Sequence, residues 1–318
     1  MTTGVMAGIP PDPMLERREL IQTVASQTLR RRMLVSKAVV GLCGVTLVLA
    51  LVPLGAILFS LVQKGVHYWR IDFFTKTPEF PSLINPNAIG GISNALIGSL
   101  VIDGLAALFA VPIGIIAGLF LAQSASRFAN ALRWTAEIMT GLPSILLGIF
   151  AYQMIVIGFH EWGISIHGIG FSGYAGSFAI GVLMIPVIIK ASESSLRSVP
   201  NTIKEAGLAL GARDGVIARR IILPTALPGL ITAVLLAVSR AVGETAPILW
   251  VIGASTVNTW DPGHEIASMP LAIFQSATSP YTSLREETWG IALTLVVVVL
   301  ILNLGSRLLA AWLQRERR

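Results

Sequence analysis

Between Lys37 and Lys64 the chain contains no Asp, Glu, Lys or Arg, and the same holds between Asp103 and Arg127 and between Glu137 and Glu161. Each of these runs exceeds the roughly 18–20 residues that one helix needs to cross about 30 Å of hydrocarbon. The 318 residues are 54% hydrophobic and 13% charged, with a mean hydropathy of +0.75. A soluble domain cannot bury so much apolar surface, so lipid is the natural solvent for most of the chain. The formal net charge of +6 does not indicate nucleic acid, because the basic residues sit beside apolar runs, as membrane flanks do. Cys43 is the sole cysteine; it allows no intrachain disulfide or metal cluster, and a small core position is expected for it.

The apolar pattern predicts an all-α membrane protein with six transmembrane helices, at roughly 35–62, 91–122, 138–159, 173–193, 227–253 and 288–312. With the amino terminus in the cytoplasm, the inner segments hold 17 Lys and Arg, while the outer loops hold Lys64, Arg70, Lys76 and Arg285. The positive-inside rule therefore expects both termini in the cytoplasm. Residues 1–32 form a cytoplasmic tail, mobile at first and then a basic helix from Glu16 to Arg32, and 33–318 form the membrane domain. The first apolar run is too long for a signal-peptide core and is expected to stay as a signal anchor. Pro53, Pro112, Pro143, Pro186 and Pro247 fall inside spans, where they bend or break helices. Gly114 and Gly118 form a G-x-x-x-G step that lets helices approach closely.

Ionisable residues inside spans cost about 2.5–3.5 kcal/mol each on insertion scales and are functional candidates by default. Arg240 and Glu244 lie in the fifth predicted span at i, i+4, on one helical face with Pro247. Two readings stay open: a self-neutralising buried ion pair, or a polar lining that an anion meets in transit. Arg suits the second, since its planar fork holds two oxygens of a tetrahedral oxyanion. Glu244 fits an anion path only if the anion carries a proton, as phosphate does near neutral pH and sulfate does not. Lys190 and Glu193 follow Pro186 at i+4 and i+7, although Lys190 could also snorkel to the inner interface. Asp103 is the weakest candidate, with a hydrogen-bonded carboxylate inside the bundle the plainer account.

Glu205–Pro224 reads E-A-G-x3-G-x9-I-x-L-P. It resembles the E-A-A-x3-G-x9-I-x-L-P signature of bacterial ABC-importer permeases, with Gly207 replacing the second Ala. The resemblance implies a cytoplasmic helix–turn–helix whose first helix docks on a separate ATPase, with Glu205, Ala206, Gly207, Gly211, Leu223 and Pro224 carrying the coupling. Gly207 should lower helix propensity by about 0.5–1 kcal/mol relative to Ala.

Arg240 followed by Gly243-Glu244-Thr245-Ala246-Pro247 carries the resemblance further. So do Gly90–Ala95, Gly141-Leu142-Pro143-Ser144, Pro186–Glu193, and Met269-Pro270 with Ile273–Pro280. Together they resemble the PstA and PstC membrane subunits of the bacterial phosphate-specific ABC transporter, PstA more than PstC. That resemblance implies the six-helix type I importer permease fold in the inner membrane. It also implies a function: a permease subunit of an ATP-driven phosphate importer, supplying half of the translocation pathway. Arg240, Glu244, Lys190 and Glu193 are its pathway candidates; Lys190 stands where the family often has Arg, and Asp103 has no counterpart. The implied partners are a PstC-type second permease, a PstB-type ATPase dimer and a PstS-type phosphate-binding protein. No cofactor is implied.

Four other readings compete. Sulfate, molybdate and phosphonate permeases share the E-A-A signature, so another oxyanion is the nearest. An ion-coupled secondary transporter would fit the intramembrane charges but has no ATPase to dock. A purely structural subunit needs no charge within a span. Gly170-Phe171-Ser172-Gly173 spells the G-x-S-G of intramembrane serine proteases, with His160, His167 and His264 as candidate bases; no histidine lies within a predicted span to serve Ser172. The chain contains no Gly-Lys dipeptide and hence no P-loop. The outer segments 66–86 and 255–288 are rich in aromatic residues. They should form interfacial belts or fold over the bundle and receive the binding protein.

Overall fold

Ser93–Gln123 forms a single 31-residue helix, α3, about 46 Å long at 1.5 Å per residue. Gly173–Arg197 forms α6, and these two make the most extensive helix pairing in the chain. Small side chains permit it. Ala106 and Ala110 of α3, and Ala175 and Ala179 of α6, are fully buried among Ile102, Ile180, Met184 and Ile188. At Gly114 a β-carbon would sit 2.5 Å from Ile188 Cγ2, and at Gly118 2.7 Å from Ser192 Cβ, so the expected G-x-x-x-G step is a close-approach seam. Lipid gives apolar side chains no incentive to associate, so such close van der Waals contact supplies the cohesion.

This computed structural model describes residues 13–79, 90–158 and 167–315. Expectations for residues 1–12, for the later part of the outer segment 66–86, and for His160 lie outside the described residues. The other helices are α1 (Pro13–Gly65), α2 (Ile71–Thr75), α4 (Arg127–Gly141), α5 (Ser144–Ala151), α7 (Asn201–Ala209), α8 (Asp214–Ile217), α9 (Leu223–Ala241), α10 (Met269–Ala277) and α11 (Thr282–Arg315). Among the described residues there is no strand, only the isolated bridge Gly158–His167. Among the described residues five helices are long and apolar enough to cross a membrane, and six spans result if α4 and the segment Ser144–Ile157 count as one bent span.

Two compact units can be distinguished, residues 1–60 and 61–318. The described residues of the first lie within α1, which runs unbroken through the polar-to-apolar change near residue 32. Leu34, Val40, Leu49 and Phe59 there are exposed. So is Cys43, which corrects the expectation of a core position: a continuous apolar helix surrounds it with lipid-type residues on every face.

In the second unit, three predicted spans are redrawn. The third breaks at Leu142, whose backbone is extended (φ −69°, ψ 138°) because the ring of Pro143 disfavours helical geometry in the residue before it. The helix axes on either side differ by 102°. The fifth starts earlier and ends at Ala241, after which Val242–Thr245 turns away, so 227–253 is not one helix. The last begins at Thr282, before the expected residue 288.

The segment after α1 folds over one end of the bundle. Phe73 is buried against Ile92, Ala95, Met269 and Ile291, and Trp69 Nε1 donates to Thr294 Oγ1 at 3.1 Å. The Gly90–Ala95 segment is anchored there too. Ser93 Oγ donates to the Lys76 carbonyl at 2.7 Å, and Asn94 Nδ2 to the Ser255 carbonyl at 2.8 Å. Trp260, Phe274 and Tyr281 stay exposed.

Candidate functional site

Three polar features interrupt this apolar scaffold. The first lies at the end of α6 flanked by basic residues. Glu193 Oε1 accepts from Arg133 Nε of α4 at 2.7 Å and pairs with Arg197 Nη2, one turn along α6, at 2.9 Å. Arg133 Nη2 also donates to the Leu121 carbonyl of α3 at 2.6 Å, so one guanidinium ties three helices. The Glu193 side chain is only 13% exposed. Lys190 Nζ donates to Thr140 Oγ1 at 3.0 Å, next to the break at Leu142. Lys190, Glu193, Arg133, Arg197 and Glu137 line a cavity of about 740 Å³. The two α6 candidates thus share a site, but each is held by protein partners.

The second feature is the polar hairpin. Helix α7 ends in a glycine cap: Gly211 has φ +79°, a left-handed conformation that L side chains rarely adopt. Its N–H bonds the Leu208 carbonyl, and the Ala212 N–H bonds the Gly207 carbonyl. That is the Schellman arrangement. Gly207 is buried, and a β-carbon on it would lie 3.1 Å from Ile217 Cγ1. The substitution that lowers helix propensity therefore also makes room where α7 meets α8. The hairpin's inner face joins Leu196, Ile217, Ile222, Ala226 and Leu230 in one core, while Lys204 approaches Asp214 at 3.9 Å. Its outer face is unpartnered: Glu205 and Ala206 are exposed, as are Leu208 and, at 88%, Leu210. Leu223 and Pro224 open α9.

The third feature is the far end of α9. Arg240 occupies its last turn and Glu244 the following turn. Their side chains meet at 3.5 Å between Nε and Oε1, so the i, i+4 pair forms although no helix continues between the two residues. Nor is it a pair buried within this chain: the Arg240 side chain is 55% exposed and that of Glu244 20%. Glu244 lines a small pocket with Asp103, Ser99, Ile180, Ala241, Val242, Ser268 and Pro270. Asp103 follows Ser93 by ten positions and precedes Gln123 by twenty, about 15 Å and 30 Å along α3. The pocket therefore sits in the part of the bundle remote from the basic end. No hydrogen bond or ion pair reaches Asp103 among the described residues, so the expected internal partner is absent.

Ser172, the serine of the protease-like motif, is fully buried and caps α6, accepting from the Ala175 N–H at 3.3 Å. His264 is exposed and lies against Asp261 at 3.4 Å. Ser172 Oγ is thus occupied in structure rather than presented to a base. Among the described residues no group of His, Cys, Asp and Glu could hold a metal ion.

Sequence reasoning missed Arg133, Arg197 and Thr140, and ranked Asp103 last. The i, i+4 spacing of Glu193 and Arg197 was legible. The distant pairings were not.

Residues 110–318 match the family described as "Binding-protein-dependent transport system inner membrane component". The phosphate transport system permease protein PstA of Haemophilus influenzae is 37% identical over 276 residues, 86% of this chain and 93% of that protein. PstA 1 of Mycobacterium tuberculosis (strain H37Rv) is 34% identical over 299 residues, 92% of each chain. Among solved structures, a chain of a bacterial alginate ABC transporter in complex with an alginate-bound periplasmic protein aligns with a TM-score of 0.59, at 14% identity, over 90% of this chain and 95% of that one. A chain of the inward-facing MetNI methionine ABC transporter aligns with a TM-score of 0.51, at 22% identity, over 70% and 94%. At those identities the two structures establish the fold alone.

Proposed function

The chain belongs to the binding-protein-dependent transport system inner membrane components, and within them to the PstA permeases, and on that premise we propose how its polar features serve phosphate import. It is a non-catalytic membrane subunit of a phosphate ABC importer; ATP is hydrolysed by a partner ATPase. A system of this kind includes that ATPase and a substrate-binding protein. In our reading the full assembly adds a PstC-type second permease, the ATPase is a PstB-type dimer and the binding protein is PstS-like. The basic end of the bundle and both termini face the cytoplasm.

One observation supports the pathway assignment most strongly: Arg240 is more than half exposed on a helix long and apolar enough to cross a membrane, where lipid is a costly neighbour for a guanidinium. A second permease packed against that face would enclose an aqueous path, with Arg240 and Glu244 lining this chain's half of it. Arg240 would grip two phosphate oxygens, and Glu244 would accept from a P–O–H. Lys190 and Glu193 belong to the inner mouth of the same path; their protein partners favour holding α4 in place over gripping the anion.

The exposed Glu205–Gly211 face is the ATPase contact in this reading, with Gly211 setting the turn and Leu223 and Pro224 passing movement into α9. Trp260 and its neighbours on the opposite end supply the surface for the binding protein.

The test is reconstitution in liposomes with a second permease, ATPase and phosphate-binding protein, followed by labelled anion uptake. ATP-dependent accumulation of phosphate, without sulfate or molybdate, is the expected result. Accumulation of sulfate or molybdate in its place would overturn the substrate assignment.

A further inference from the structure

Asp103 is the one charged residue of α3, and it lines the same small pocket as Glu244. No cation reaches Asp103 among the described residues. Two carboxyl groups share a pocket beside the proposed anion path, and the Arg240 guanidinium is already paired with Glu244.

The remaining lining adds hydrogen-bonding groups but no further charge. Ser99 Oγ accepts from the Met269 N–H at 2.8 Å, and Ser268 Oγ from the Leu271 N–H at 3.4 Å, so each hydroxyl retains its own proton to donate. Helix α6 contributes Ile180, α9 and its following turn contribute Ala241 and Val242, and Ile248 and Pro270 complete the wall. Asp103 and Glu244 are the only titratable lining groups. The pocket encloses about 10 Å³, room for about one water, so an anion could enter it only if it widened. Gly243, exposed between Arg240 and Glu244, marks the turn that would move.

We propose that Asp103 is a specificity-determining residue of this pocket, which with Glu244 admits monobasic phosphate in preference to the dibasic ion. The inference rests on the phosphate pathway reading above. Monobasic phosphate carries two P–O–H groups, one for each carboxylate, and two unprotonated oxygens for Arg240 and the serine hydroxyls. The dibasic ion carries one P–O–H and leaves a carboxylate facing bare oxygen. Sulfate leaves both unsatisfied. A site built for a hydrogen bond strongly rejects a ligand that lacks it.

The test compares Asp103→Asn with the unsubstituted chain in the complete liposome-reconstituted importer, using labelled inorganic phosphate from about pH 6 to about pH 8. An amide can turn its N–H toward a bare oxygen, so the variant tolerates the dibasic ion. The ratio of variant to unsubstituted uptake should rise with pH by about threefold or more, the size of one hydrogen-bond preference. Effects of pH on the ATPase and binding protein cancel in that ratio. Asp103→Ala, which removes the acceptor and adds no donor, supplies the same comparison if the Asn variant does not assemble, and its ratio should rise in the same direction. A flat ratio, with normal phosphate uptake by the unsubstituted importer, overturns this inference and leaves the pathway reading intact. Absence of phosphate uptake by the unsubstituted importer overturns the pathway reading itself.

Discussion

The two ends of this bundle each carry a cluster of carboxylate and guanidinium groups, and they differ in how completely the charges are partnered. At the basic end one carboxylate, Glu193, receives two arginines, and Arg133 also donates to Asn130 and to the Leu121 and Ser124 carbonyls. At the far end one arginine serves Glu244 at 3.5 Å, while Asp103 in the adjoining pocket has no partner among the described residues. In the first cluster the Glu193 carboxylate is fully paired, and Arg133 joins three helices. The second is unsaturated and faces outward from the chain. A carboxylate held by two arginines has little capacity left for a ligand, whereas an unpartnered one is stable in a membrane only if something else completes it.

The largest effect is expected where the unsaturated cluster is removed. Replacing Arg240 and Glu244 together by Leu should abolish phosphate uptake while the importer assembles and hydrolyses ATP, because apolar replacement of an ion pair is often neutral for stability. Arg240→Lys should slow uptake by about tenfold or more, since one charge-assisted bond is worth about 1.5–3 kcal/mol and an ammonium lacks the planar fork. Full uptake by the double-Leu protein at normal expression would reduce this cluster to packing.

Gly211→Trp tests how either cluster is driven. A side chain at φ +79° strains the cap by about 1–3 kcal/mol and adds bulk to the exposed docking face. Substrate-stimulated ATP hydrolysis should fall by about tenfold with the protein still inserted. Unchanged stimulation would place the coupling elsewhere.

The smallest effect on transport is expected at the saturated end. Glu193→Gln should lower thermal stability by about 1–3 kcal/mol, with the half-exposed Arg197 contributing the lesser share. Uptake per folded complex should stay near normal. A large loss of uptake at unchanged stability would erase the contrast and make Glu193 a ligand of the transported anion.

Much of this was legible in the sequence. Charge-free runs located the spans, and the E-A-G-x3-G-x9-I-x-L-P pattern located the hairpin with its turn at Gly211. What periodicity does not carry is where a helix stops. Gly243 and Pro247 mark an end after Ala241 that apolar length alone carries on to residue 253, and a proline inside a run is accommodated in two helices (Pro112, Pro186) and breaks another (Pro143). Pairings across the chain were equally hidden: Arg133 and Glu193 are 60 positions apart. Asp103 was undervalued because its significance lies in a neighbour far along the sequence and in a missing partner.

The central claim is that Arg240 faces an aqueous path in the assembled importer, and cysteine accessibility tests it most directly. Cys43 is the sole native cysteine, so Cys43→Ser gives a clean background for Arg240→Cys. A charged, water-soluble thiol reagent supplied on both sides of the membrane should label that position in the assembled complex, and phosphate with ATP turnover should change the rate. Absence of labelling in the assembled complex, with full labelling after denaturation, would contradict the account and return Arg240 to a dry interface.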